Sequence, residues 1–220
     1  MKATKTLAMM CLWITASILY LLPSVTYAEL PELPACQASE CYIVATPAKW
    51  PEISFEKKLV INRPEISISI PKDPKQIGFA QNSTAIKYDK DNHLIIGKLV
   101  NDQFDLPESS FTLFDQFVIT FLKTPNDSEP RNKIDNFIWR INLLTKIDML
   151  KNIEKLAYYE LRNISVFHIE KKLGNLETYL YIINRSRPNE IITIQGNFKE
   201  NVFLKIINSI HMKEVTQCQI

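Results

Sequence analysis

Glycine is scarce in this chain, with 4 in 220 residues against an average usage of about 7%. Phosphate-cradling loops and nucleophile elbows need glycine where the backbone turns sharply or approaches a ligand. Gly97-Lys98 is followed by Leu99 and lacks the earlier glycine of a P-loop, and neither G-x-S-x-G nor G-x-G-x-x-G occurs. Nucleotide-dependent and α/β-hydrolase chemistry are both disfavoured. Histidine is sparse too: His93, His168 and His211 are the full set, and none has a second His or a Cys at metal-ligand spacing. Without a glycine turn to present a nucleophile, Ser109 and Ser110 are only nominal partners for a histidine. Asp102, Asp105 and Glu108 stand in a loop beside Pro107 and read as solvated carboxylates rather than a glycosidase pair. Asp89-Lys90-Asp91-Asn92 lacks the glycine and distal Glu of a calcium loop and reads as a tight turn. The sequence nominates no catalytic, cofactor-binding or metal residue, and no cofactor is implied.

What the chain does have begins at its N-terminus. Lys2 and Lys5 precede an apolar run from Leu7 to Leu22; Pro23-Ser24 breaks it, and Val25-Thr26-Tyr27-Ala28 places small residues for a cut after Ala28. These are the three parts of a secretory signal peptide. The run, about 16 residues, is short of the roughly 20 needed to span a bilayer. Residues 1–28 are therefore expected to be removed, leaving no stable membrane span and a periplasmic or secreted chain of 192 residues. Lys2 and Lys5 leave with the leader, so 24 Lys/Arg face 24 Asp/Glu and the mature net charge is zero. Lys57-Lys58 and Lys171-Lys172 are mere pairs. A neutral chain without a dense basic run lacks the electrostatic footprint of a nucleic-acid binder.

Three cysteines survive cleavage: Cys36, Cys41 and Cys218. In an oxidising compartment a structural disulfide is the default. Cys36 with Cys41 would close a small loop; either of them with Cys218 would tie the two ends together. Residues 29–54, with Pro31, Pro34, Pro47 and Pro51, read as a Pro-rich irregular arm, and residues 55–220 as one domain.

Within that domain, Ile66-Ser67-Ile68-Ser69-Ile70 alternates strictly and predicts a half-buried strand ended by Pro71. His93 to Val100 predicts a second. Phe111, Phe114, Phe117, Val118, Phe121 and Leu122 recur at helical spacing, with Pro107 and Glu108 suited to a helix start and a strand the alternative on β-branched content. Ile134, Phe137, Ile138, Ile141, Leu144, Ile147 and Leu150 mark a longer amphipathic helix. Ile164 to Lys171 and Thr178 to Asn184 predict strands joined around Gly174-Asn175, and Ile191 to Ile194 predicts another. Asn197 with Glu200 reads as a capping box opening a last helix striped by Phe203, Ile206, Ile207 and Ile210. The expected order is ββ-αα-βββ-α: an α+β fold with a mostly antiparallel sheet flanked by helices.

The C-terminal stretch Ile191-Ile192-Thr193-Ile194-Gln195-Gly196, followed by Ile206-Ile207-Asn208-Ser209-Ile210, resembles the PsbP/Mog1-like α/β/α sandwich proteins. There the final strand ends at a glycine and the closing helix carries a similar Ile-Ile-x-Ser-Ile pattern. The resemblance extends over residues 60–212 as an order of elements and over the last 25 or so as residues. It implies a sandwich fold without a shared catalytic motif, in a group whose envelope members include small exported binding proteins and immunity proteins.

Tyr158, Tyr159, Tyr179 and Tyr181 are the candidate binding surface, because tyrosine is enriched at protein interfaces. The expected function is an exported, non-enzymatic domain that binds another protein, in its sharpest form an immunity-type protein neutralising a secreted toxin. Two alternatives stand beside it: an envelope hydrolase lacking a local motif, and a small-molecule or lipid-binding module.

Overall fold

A computed structural model describes residues 31–63, 66–80, 82–100, 110–124, 129–173 and 175–212; the expected leader, Ser109, the expected Asp102–Glu108 loop and Cys218 lie outside them. The strands are β1 (Thr46–Ala48), β2 (Lys58–Asn62), β3 (Ile66–Pro71), β4 (Gln76–Ala80), β5 (Ser83–Lys87) and β6 (His93–Val100). Helices α1 (Leu113–Leu122) and α2 (Lys133–Leu150) follow, then β7 (Ile153–Leu161), β8 (Ile164–Leu173), β9 (Asn175–Asn184) and β10 (Glu190–Gly196). Helix α3 (Glu200–Asn208) and β11 (His211–Met212) complete the series.

The fold is α+β, with a large and mostly antiparallel sheet between helices. Among the described residues that sheet runs β1-β7-β8-β9-β10-β6-β5-β4, and β11-β3-β2 form a smaller second sheet. Because side chains alternate across a strand, its central strands are apolar on both sides. Val166, Ile182, Ile192 and Ile194 pack with β3 and with Phe203, Ile206 and Ile207 of α3. Phe167, Ile169, Ile183 and Ile191 face the opposite way, onto Leu113, Phe121 and Leu150 of α1 and α2.

Several local expectations change. The Pro-rich arm is not irregular throughout: Thr46–Ala48 pairs in parallel with Ala157–Tyr159 of β7 as an edge of the main sheet. Strand β7 itself has a blurred period, since a register irregularity between Ile153 and Lys155 shifts the alternation. It turns into β8 through Arg162, which holds φ at 52°, a role in which glycine or asparagine is the recognisable signal. Strands β2, β4 and β5 lengthen the predicted ββ start. Helix α1 starts at Leu113, because Thr112 and Asp115 form a reciprocal capping box there. The box expected at Asn197 does not form: α3 begins at Glu200 without a side-chain cap, and Asn197 Oδ1 instead accepts the His93 N–H at 2.9 Å. That bond ties the β10–α3 turn to the start of β6. The Asp89 turn is as expected, with Asp89 Oδ1 accepting the N–H groups of Asp91 and Asn92 at 2.8 Å each.

The two features that carry the resemblance have structural tasks. Ser209 Oγ accepts the Ser69 N–H at 2.9 Å and donates to the Ile206 carbonyl at 2.7 Å, docking the end of α3 on β3. At Gly196 a Cβ would stand 2.5 Å from the His93 carbonyl oxygen and 2.8 Å from Leu94 Cδ2, whereas at Gly78 the nearest atom would be 4.0 Å away. Gly196→Ala is expected to cost about 1–3 kcal/mol by overpacking against fixed backbone, and Gly78→Ala to stay within about 0.5 kcal/mol of wild type. Urea unfolding of the two variants checks the contrast.

Candidate functional site

Strand alternation divides the four candidate tyrosines between the two sides of the sheet. Tyr159 is buried toward α3. Tyr158, Tyr179 and Tyr181 pack on the α1–α2 side. Tyr181 lies against Phe117, with ring centroids 4.8 Å apart. Tyr179 donates to Glu177 at 2.6 Å, and burial followed by that carboxylate pushes its phenol above the ordinary range. The four are therefore mainly packing residues; Tyr179 also accepts from Gln195 at 3.3 Å, and Tyr158 joins a polar group built around an arginine.

That group lies where β7 and β9 end and β8 begins. Arg185, just past β9, donates from Nη2 to Tyr158 Oη at 3.0 Å and from Nε to Ser165 Oγ at 3.2 Å. Tyr158 Oη and Ser165 Oγ are 3.1 Å apart. Glu160 forms an ion pair with the same guanidinium, which sits 5.8 Å from the centre of the Phe114 ring. The Arg185 N–H donates to the Asn163 carbonyl, so backbone and side chain are both held. Ser165 is fully buried, while Arg185 and Glu160 keep roughly two-fifths of their side-chain surface open to solvent. The result is an anchored guanidinium and phenol presented at one corner of the sheet. Arg187 and Lys98 meet Glu190 beside it, at 3.7 and 3.0 Å.

A second polar cluster is sealed. His168 on β8 has no exposed surface, and its ring centroid lies 6.2 Å from those of both Tyr159 and Phe203. Two residues on, hence on the same face, Glu170 brings Oε1 to 2.9 Å from His168 Nε2. These two atoms are in close contact without a well-directed hydrogen bond, and among the described residues His168 Nδ1 has no hydrogen-bond partner. Burial opposes ionisation of Glu170, but contact with His168 and the charge of Lys155 outweigh it and hold the carboxyl below its ordinary range. An imidazole closed in by an acid and two rings is not placed as a base for a nucleophile. His93 opens β6 and His211 lies in β11, apart from this cluster.

The third cluster joins the arm to α2. Cys36 and Cys41 are at disulfide bonding distance, with Cα atoms 6.4 Å apart. Cys41 is buried with Trp139, Leu143 and Ile119. Lys146, also fully buried, donates to the carbonyls of Cys41 and Lys123 at 3.2 and 3.5 Å. Arg140, on the same helix, donates to the Leu33 carbonyl. Desolvation of the ammonium pushes Lys146 down to about 8.

Sequence reasoning missed Arg185, Glu160, Ser165 and Lys146, and weighed His168 without Glu170. The His-x-Glu spacing on a predicted strand was the available signal for that pair. The Arg185 corner had none, since its members come from separate strands. Among the described residues, no group of three or more His, Cys, Asp or Glu could hold a metal ion, and no helix is long and apolar enough to cross a membrane.

No family model matches this sequence, and no curated protein does. Among solved structures, the chain is similar to a protein from Bacteroides thetaiotaomicron VPI-5482 whose crystal structure was determined at 1.50 Å. The likeness covers 68% of this chain and 46% of that one, at 7% identity and a TM-score of 0.35. The chain thus spans about half the length of that protein, and so slight a likeness supports no statement about fold or function.

Two pH effects follow from the buried groups. An unfolded lysine titrates near 10.5, so between about pH 8 and 10 the unfolded chain keeps a proton that folded Lys146 has released. Stability is expected to rise with pH across that window, by up to ~1.4 kcal/mol per pH unit, and Lys146→Met to remove the rise. Urea unfolding at both ends of the window measures it; equal slopes would count against the buried ammonium. For Glu170 the sign is opposite in origin. A depressed carboxyl stabilises the fold above its ordinary range and loses that contribution as pH falls through the acid range. Glu170→Gln is expected to flatten the acid-side decline, as read from thermal melts on descending pH.

Proposed function

We propose that the exported chain is a protein-binding domain, of the immunity type that neutralises a secreted toxin, and that it meets its partner at the Arg185–Tyr158 corner. The single observation that carries this reading is the preorganisation of that corner. Arginine and tyrosine are enriched among residues that dominate binding energy, and a side chain already held in place loses little freedom on association. Here Arg185 is fixed by Tyr158, Ser165, Glu160 and Phe114 and still partly faces solvent. The neutral mature chain and the resemblance of its closing strand and helix to PsbP/Mog1-like proteins support the same reading.

Partner and location are tested together. Immobilised mature protein, exposed to its own envelope and secreted fractions, is expected to retain one protein in near-stoichiometric amount. Arg185→Ala, after a melt that verifies folding, is expected to weaken that complex by roughly 30-fold, the equivalent of a hot-spot loss of about 2 kcal/mol. Recovery of no protein at any salt, or retention indifferent to Arg185→Ala, sinks the proposal.

A further inference from the structure

The two edges of the main sheet are finished differently. Strand β1 closes one side with three residues, the middle one Pro47, and short, proline-bearing edges resist further pairing. Strand β4 closes the other side with Gln76-Ile77-Gly78-Phe79-Ala80, all exposed, and carries neither proline nor charge. Among the described residues it pairs with β5 alone. Ile77 is opposite Ile86 and Phe79 opposite Thr84, both buried, so Ile77 and Phe79 continue the core-facing side beyond the layer that covers it. Phe79 is 81% exposed. An uncharged edge strand bearing exposed large apolar side chains is a pairing surface.

We infer that β4 pairs antiparallel with β4 of a second copy of this chain about a two-fold axis at Gly78, joining two sheets into one. The residues fit that arrangement on both sides. Ile77 faces Phe79 of the other copy, twice, and Gln76 faces Ala80 twice. No like charges meet, and the contact is isologous, so it closes at two chains. The register also matches the backbone. The β4–β5 hairpin closes at Ala80 and Ser83, and ladder alternation then directs the N–H and C=O groups of Ile77 and Phe79 outward. These form the hydrogen-bonded pairs across the axis. Gly78 then falls at the close pair, where Cα atoms approach to about 4.5 Å and where it has open space around it. This surface is separate from the Arg185 corner and independent of the function proposed there.

The test uses the mature chain, residues 29–220. Sedimentation equilibrium is expected to show a dimer, and Phe79→Lys, at an exposed position that leaves the fold intact by circular dichroism, a monomer. In a Cys218→Ser background, Gly78→Cys is expected to oxidise to a covalent dimer, because bridged cysteines need Cα atoms within about 7 Å. Ala80→Cys is not, since its copies would lie about 14 Å apart at about 3.4 Å per residue. A monomeric wild type, a dimer that survives Phe79→Lys, or equal cross-linking at the two positions overturns the assignment. A monomer whose β4 is protected from hydrogen exchange only by a different envelope protein overturns it as well and gives the edge to that protein.

Discussion

Strands β8, β9 and β10 present apolar side chains on both faces, and the rest of the molecule is arranged to keep water from each. Val166 with Phe167, Ile182 with Ile183 and Ile191 with Ile192 are adjacent in sequence and point to opposite layers, and all are buried. At about 25 cal/mol per Å² of apolar surface, exposing either side would remove most of the stabilisation these strands provide. One face is closed by α1 and α2; the other needs α3 and the small sheet together. The chain therefore runs strands, helices, strands and a final helix, and β11 returns to pair with β3.

Polar groups within these layers stay where a partner compensates for burial. Lys146 donates hydrogen bonds to carbonyls of the arm and of the residue following α1, so helix α2 holds the arm through its main chain. Arm residues 46–48 then extend the sheet at β7, beside Tyr158 and Tyr159. His168 and Glu170 are less fully matched, with ring nitrogens and a carboxylate oxygen short of directed hydrogen bonds. A buried polar pair of this kind is weak support for stability. The proposed binding corner uses the same chemistry at the rim, where the layers end and Arg185 meets solvent.

Much of the architecture was legible along the chain. The alternation of Ile66 to Ile70 and the continuous apolar runs of β9 and β10 are local signals, as is the 18-residue helix α2. What escaped did so for stated reasons. Strand β7 lost its period at the Ile153–Lys155 irregularity, and its turn uses Arg162 at positive φ in a chain with little glycine. Asn197 and Glu200 have the spacing of a cap, yet Asn197 is drawn to His93, 104 residues away in sequence.

By itself the sequence determined the α+β class, offered the Cys36–Cys41 loop as a disulfide candidate, and raised the expectation of an export signal whose removal would leave a neutral chain. Those properties reside in composition, period and short spacing, which the order of residues contains directly. Only tertiary structure decided that Tyr158 meets Arg185, that His168 is sealed beside Glu170, that Lys146 holds the arm, and that among the described residues β4 is an exposed edge. Each depends on residues brought together from distant parts of the chain, as when Ser209 meets Ser69 across 140 positions. Burial on both faces of one sheet, rather than any local preference, selects those meetings.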